Sequence, residues 1–254
     1  MRSLRTVPAT CCIYCLATGV PRTEEHLIPH CLGGRLTLRD AVCEPCRRHT
    51  GRREQLTLDN DFAVPKTLLA LKRRRARGKG PSRFPPVALA GAEGAASELC
   101  AATFPRGFSM PAFEPAGLLA GVVRTSQPPR IDAIACRLDL GTPTRHHVAA
   151  ATPPRDAHAY AWSIAKWAYA LAVAERGVHG CDAQAMRDLL LGRRHDVFDF
   201  VGTPASRAPA SRELLHDHCV QDDGPWLTVK LALFASAGML PYEVVIGRAT
   251  PPPS

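Results

Sequence analysis

The chain has 254 residues, and no apolar run in it approaches the roughly 20 residues that a membrane-spanning helix needs. No membrane partner is therefore expected. Met1 to Ala9 is basic and polar, and the apolar stretch after it is short and broken by cysteines. That pattern is not a secretory signal, and a cytoplasmic, reducing location is the expectation. No internal repeat is visible, so a solenoid or propeller is excluded. Acidic residues are in deficit: 23 Asp and Glu face 32 Lys and Arg, a formal net charge of +9. An excess of that size favours polyanionic partners, nucleic acid first among them. Most of these basic residues are arginine, which suits bidentate phosphate contacts. Genome composition is an equal account of the arginine, alanine and proline content.

Ten cysteines are present, and five of them (Cys11, Cys12, Cys15, Cys43 and Cys46) lie in or beside two short pairs. Cys12-Ile-Tyr-Cys15 and Cys43-Glu-Pro-Cys46 have the spacing of two zinc knuckles. Four thiolates suit Zn2+ in a closed structural site, and so small a unit would draw much of its folding free energy from the metal. The competing readings are a redox dithiol or unpaired core thiols. Cys11 competes with Cys12 as a ligand, and Cys12 is preferred for its two-residue spacing to Cys15. Cys31 is taken as a bystander.

Between the pairs, residues 25 to 29 read as a short strand and Gly33-Gly34 as a turn. Leu36-Thr37-Leu38 reads as a returning strand, and Pro45 as the first turn of a helix running through Leu56. A second helix is expected over residues 64 to 77. It ends in a basic block: Lys72, Arg73, Arg74, Arg75, Arg77 and Lys79. That block is either a solvated helix end or a phosphate-contacting patch, and the second reading is preferred because so dense a block repels itself. A domain boundary is placed at residues 82 to 86, separating a unit over residues 1–80 from a second over 87–250. In the second unit, residues 117–123 and 131–140 read as strands. Residues 157–174 read as a buried helix, with Gly177 to Gly180 ending it. Asp182 is read as the cap of a shorter helix through Leu191. Residues 226–234 and 242–246 read as two strands joined at Ala237-Gly238. The fold class is α+β with a mainly antiparallel sheet. Trp162, Lys166 and Trp167 read as packing residues, with the lysine snorkelling to water.

The run Cys-Ile-Tyr-Cys, then Glu-Glu-His-Leu-Ile-Pro-His-Cys-Leu-Gly-Gly, then Leu-Thr-Leu-Arg-Asp-Ala-Val-Cys-Glu-Pro-Cys, resembles the HNH endonucleases, which are His-Me finger or ββα-metal nucleases. The resemblance covers about residues 12 to 56. A looser one to longer bacterial proteins of this type touches residues 161–169 and 241–247 and implies no mechanism.

The resemblance implies a zinc-stabilised ββα-metal unit that hydrolyses phosphodiester bonds, with double-stranded DNA as the expected substrate. It makes His26 the general base and Glu25 a ligand of a catalytic Mg2+ or Mn2+ ion. Adjacent strand residues point to opposite faces, so a local distortion is expected there. Asp40 stands where the family has its middle asparagine. Arg47, directly after the last cysteine, stands where a ligand is common, and a guanidinium cannot ligate a cation. Arg47 is instead read as a nucleic-acid contact. His30, His49 and Glu54 are the candidates for a second ligand. A buried structural role is the alternative for His26. The alternative for the whole chain is a non-catalytic zinc module that binds nucleic acid. Residues 87 to 254 have three open roles: reading DNA, pairing two chains as a homodimer, or binding a regulator.

Overall fold

The computed structural model describes residues 8–68, 107–125, 129–137, 156–204 and 214–249. The basic block at Lys72–Lys79 and the boundary at residues 82–86 lie outside them.

The first unit opens with a knuckle in which Leu16 N–H bonds the Cys12 carbonyl at 2.8 Å and Cys12 N–H bonds the Ala17 carbonyl at 2.9 Å. Strand β1 (Arg22–His26) pairs antiparallel with β2 (Thr37–Cys43), and helix α1 (Glu44–Asn60) follows directly. Strand, loop, strand, helix is the expected order, but β1 lies earlier than expected. Leu27 and Ile28 come after it, buried in the loop. They read as strand because they are apolar between polar neighbours. They are instead loop residues whose side chains fill the core.

The loop is tight. Gly33 sits at φ 93°, and a Cβ on Gly34 would lie 2.0 Å from the Ile28 carbonyl oxygen, so only glycine fits there. The expected distortion is present but lies beside Glu25 rather than on it. The ladder slips between Thr23 and Glu25, where β2 carries the extra residues. Asp40 takes up the slip at φ 48°, a conformation Asp and Asn tolerate, and Arg22 Nε donates to its carbonyl at 2.6 Å.

Helix α1 starts cleanly because Pro45 lies in its first turn, where no N–H is required, with acidic Glu44 beside it. Only Cys46, Thr50, Thr57 and Leu58 of α1 are buried, so the helix is solvated on most of its surface. Helix α2 (Ala63–Leu68) follows.

Strands β3 (Gly107–Phe113) and β4 (Ile131–Arg137) pair antiparallel, with helix α3 (Gly117–Ala120) between them in sequence. The strand expected over residues 117–123 is therefore a short helix closed by Gly121 at φ 68°. Its Gly-Leu-Leu-Ala core is apolar without alternation, which a four-residue helix satisfies as well as a strand does.

Helix α4 (Ala157–Arg176) is the hub. Asp156 caps it by accepting from Ala159 N–H at 3.0 Å, and Gly177 closes it at φ 79°. Every residue from Tyr160 to Ala174 is buried. Its many alanines let other elements approach closely on all sides, and it contacts α1 and the sheet behind it.

That sheet is built from β5 (Cys181–Asp182), β6 (Val201–Gly202), β7 (His216–Asp223), β8 (Trp226–Leu233) and β9 (Tyr242–Ala249), in the order β5-β9-β8-β7 with β6 also on β9. All its pairs are antiparallel. Helices α5 (Gln184–Leu190) and α6 (Val197–Phe200) connect into it. Asp182 does not occupy the cap position of α5, which falls to Ala183, yet its carboxylate accepts from Gln184 N–H at 3.3 Å. The architecture is α+β with antiparallel sheets, and one apolar cluster runs from Cys11 through α4 to Ile246. No helix among the described residues is long and apolar enough to cross a membrane.

Candidate nuclease site and its supports

The sulfur atoms of Cys12, Cys15, Cys43 and Cys46 all lie within 4.8 Å of one another. Cys15 and Cys43 Sγ are 3.6 Å apart. A tetrahedron with metal–sulfur bonds of ~2.3 Å has edges of about 3.8 Å, so the four cysteines fit a Zn2+ ion. Cys11 is buried outside this group, and Cys31 is half-buried.

The thiols of Cys12, Cys15 and Cys46 differ in how readily they ionise. Burial opposes a thiolate at Cys12, but the backbone N–H groups of Cys15, Cys43 and Tyr14 outweigh it and lower its pKa. Cys46 is driven strongly upward by burial and then by the charge of Cys12, and Cys15 is also raised by burial. Four crowded thiols cannot all ionise unless a cation balances them, and a bound zinc would supply that charge.

His26 ends β1. Its Nδ1 is buried and has no hydrogen-bond partner among the described residues, so this nitrogen is not committed to holding the described fold. The His30 ring lies 6.2 Å away, centroid to centroid.

Glu25 faces the other way. It is buried, and its Oε1 accepts from the Tyr14 hydroxyl at 3.0 Å and from Lys166 Nζ at 2.7 Å. Lys166 Nζ also reaches Glu54 Oε1 at 2.8 Å, and Trp167 Nε1 donates to that same oxygen at 2.5 Å. The side chain of Lys166 is only 4% exposed, so the snorkelling expected from α4 does not occur. Burial works against its charge, but the two carboxylates prevail and hold its pKa above the ordinary lysine value.

The remaining candidates are dispersed. His49 is exposed and lines a cleft of about 560 Å³ with Cys15, Cys43, Cys46, Leu191 and Arg193. Glu54 is held by Lys166 and Trp167. Arg47 makes two bonds to Glu44, at 2.7 and 2.8 Å, which raise its pKa and lower that of the carboxyl. Among the described residues, the four cysteines are the only group of three or more ligand-type side chains that converges. Glu25, Glu54, His30 and His49 are not part of such a group.

Two supports escaped sequence reasoning. Lys166 carried a signal, since a lysine in a helix apolar on every face requires a buried counter-charge. His216 carried none. It reaches from β7 to the loop after β1, where its Nε2 lies 2.8 Å from the Leu32 carbonyl, while its Nδ1 accepts from Phe234 N–H at 3.2 Å.

Residues 12–63 match the family model for HNH endonucleases. That span takes in both cysteine pairs, β1, β2 and α1; the region beyond it is not characterised by any family match. No curated protein and no solved structure matches the chain.

Proposed function

We propose that this protein acts on nucleic acid as an HNH-type endonuclease, hydrolysing phosphodiester bonds with His26 as the general base. The observation that carries the reading is His26 at the end of β1, within the HNH-matched span, with a ring nitrogen that has no hydrogen-bond partner among the described residues. A neutral imidazole can take a proton from attacking water near physiological pH. The net charge of +9 supports a polyanionic substrate, and the resemblance makes double-stranded DNA the first to test. A structural zinc on the four cysteines would hold the ends of the loop that presents His26. A divalent ion, where one takes part in this chemistry, polarises the phosphoryl group and stabilises the leaving oxygen. Glu25, already bonded by Lys166 and Tyr14, does not fit such an ion.

A second reading is a non-catalytic zinc module, derived from the same fold, that binds nucleic acid. The Glu25–Lys166 pair favours it, because the carboxylate next to the base is already neutralised.

Plasmid nicking by the zinc-loaded protein, with and without Mg2+ or Mn2+, separates the two. The first reading expects cleavage that drops at least about 100-fold in His26→Ala, the low end for removing a general base. Cleavage that is equal in wild type and His26→Ala removes His26 from the mechanism. Salt-sensitive binding without any cleavage establishes the second reading.

A further inference from the structure

Three segments far apart in sequence converge on one ammonium group. Lys166 Nζ of α4 lies 2.7 Å from Glu25 of β1 and 2.8 Å from Glu54 of α1. Each carboxylate oxygen facing the ammonium receives a second donor, the Tyr14 hydroxyl on Glu25 and the Trp167 indole on Glu54. Trp167 is fully buried, Tyr14 is nearly so, and α4 is buried all round at this level. A cation held this way is built into the fold; it is not a surface ion pair.

We propose that Lys166 is the resident cation of the HNH-type unit: its ammonium takes the place at Glu25 that the family resemblance gives to a divalent ion. Glu25 then anchors β1 to α4 and sets the position of its neighbour His26. Helix α4, outside the span matched to the family, thereby becomes part of the site. A divalent ion on the other oxygen of Glu25 would face the ammonium across a single carboxylate, and like charges at that separation repel strongly. The inference rests on residues 12–63 being the HNH-type unit and does not require that the protein cleave anything.

Mn2+ binding to the zinc-loaded full chain tests it, read from the free-Mn2+ paramagnetic resonance signal. Wild type and Glu25→Gln are expected to titrate alike. Lys166→Met leaves the two carboxylates facing each other, and it is expected to gain a Mn2+ site that Glu25→Gln in the same background removes. Mn2+ binding in wild type that Glu25→Gln abolishes would overturn the proposal, as would a folded Lys166→Met variant that gains no site. Should the variants fail to fold, wild type alone decides. Selective broadening of the His26 imidazole resonances by substoichiometric Mn2+ contradicts the proposal, and unbroadened resonances support it. None of these readouts depends on cleavage, so a protein inactive on plasmid leaves the outcome standing.

Discussion

The Tyr169 hydroxyl of α4 donates a 2.5 Å hydrogen bond to the Ile13 carbonyl, inside the first cysteine knuckle. Both groups are buried, and the Tyr14 and Tyr169 rings lie 5.9 Å apart beside them. The knuckle is thus supported from two directions, by the convergence of the four cysteines and by the hub helix. Tyr169→Phe keeps the ring packing but leaves the Ile13 carbonyl without its donor. It should cost about 1–3 kcal/mol, the penalty for an unsatisfied buried acceptor. Chemical denaturation should show a lower midpoint with an unchanged m-value.

The metal should dominate the other support. The first unit buries Ile13, Tyr14, Leu27, Leu32, Leu38 and Val42 in the cluster shared with α4, yet its own helix α1 is mostly solvated and covers little of them. One zinc per chain is expected by elemental analysis. Chelation, or Cys43→Ser, should lower the melting temperature by about 10 °C or more, corresponding to several kcal/mol. The β7–β8–β9 sheet should outlast the first unit in hydrogen exchange, because its strands bond one another and not the knuckles. Uniform loss of protection across both parts would show that they unfold as one.

How legible all this was in the sequence depends on whether a signal was local. The cysteine spacing is local, and the four sulfur atoms converge as the two pairs imply. The helix at residues 157–176 is local too, in its unbroken apolar pattern and closing glycine. Strand β1 misled because Arg-Thr-Glu-Glu-His carries no apolar alternation; its inward residue is a glutamate satisfied by a lysine from α4. Strand β7 was missed for a similar reason, since His-Asp-His-Cys-Val-Gln-Asp-Asp carries no apolar alternation and neither of its faces is fully buried. Lys166 was read as snorkelling because its helix neighbours offered no anion. Its partners lie in the first 54 residues, a pairing that only tertiary structure reveals.

His216 makes the loop after β1 sensitive to acid. Phe234 N–H points at Nδ1, so Nδ1 is the acceptor and the proton sits on Nε2, donated to Leu32. Burial lowers the His216 pKa, and the Leu32 carbonyl offsets this only in part. The folded state therefore binds this proton less readily than the unfolded chain does. Its contribution is complete above the unfolded value of about 6.5 and is lost as the pH falls from there toward the depressed folded value. Denaturation midpoints should drop between pH 7.5 and pH 5, and His216→Asn should flatten that dependence. A variant with the wild-type slope would place the acid sensitivity elsewhere.

The nucleic-acid contact should involve α1 together with the loop after α5. A Cβ on Gly192 would lie 3.7 Å from the His49 ring and 4.0 Å from Arg53, so the loop abuts the helix. Between them the two segments carry Arg47, Arg48, Arg52, Arg53, Arg193 and Arg194, of which Arg47, Arg48, Arg193 and Arg194 pair with Glu44, Asp188 and Asp196. Arg47 is held by both Glu44 oxygens, whereas Arg52 is exposed and Arg193 keeps a side chain 62% exposed despite its bond to Asp188. Arg52→Ala with Arg193→Ala should weaken binding to all duplex sequences alike. Each lost phosphate contact should reduce the slope of log K against log salt by about 0.9. Arg176→Ala, on the far end of α4 beside Asp222, should leave the slope unchanged. If the double variant keeps the wild-type slope, the contact surface lies elsewhere on the chain.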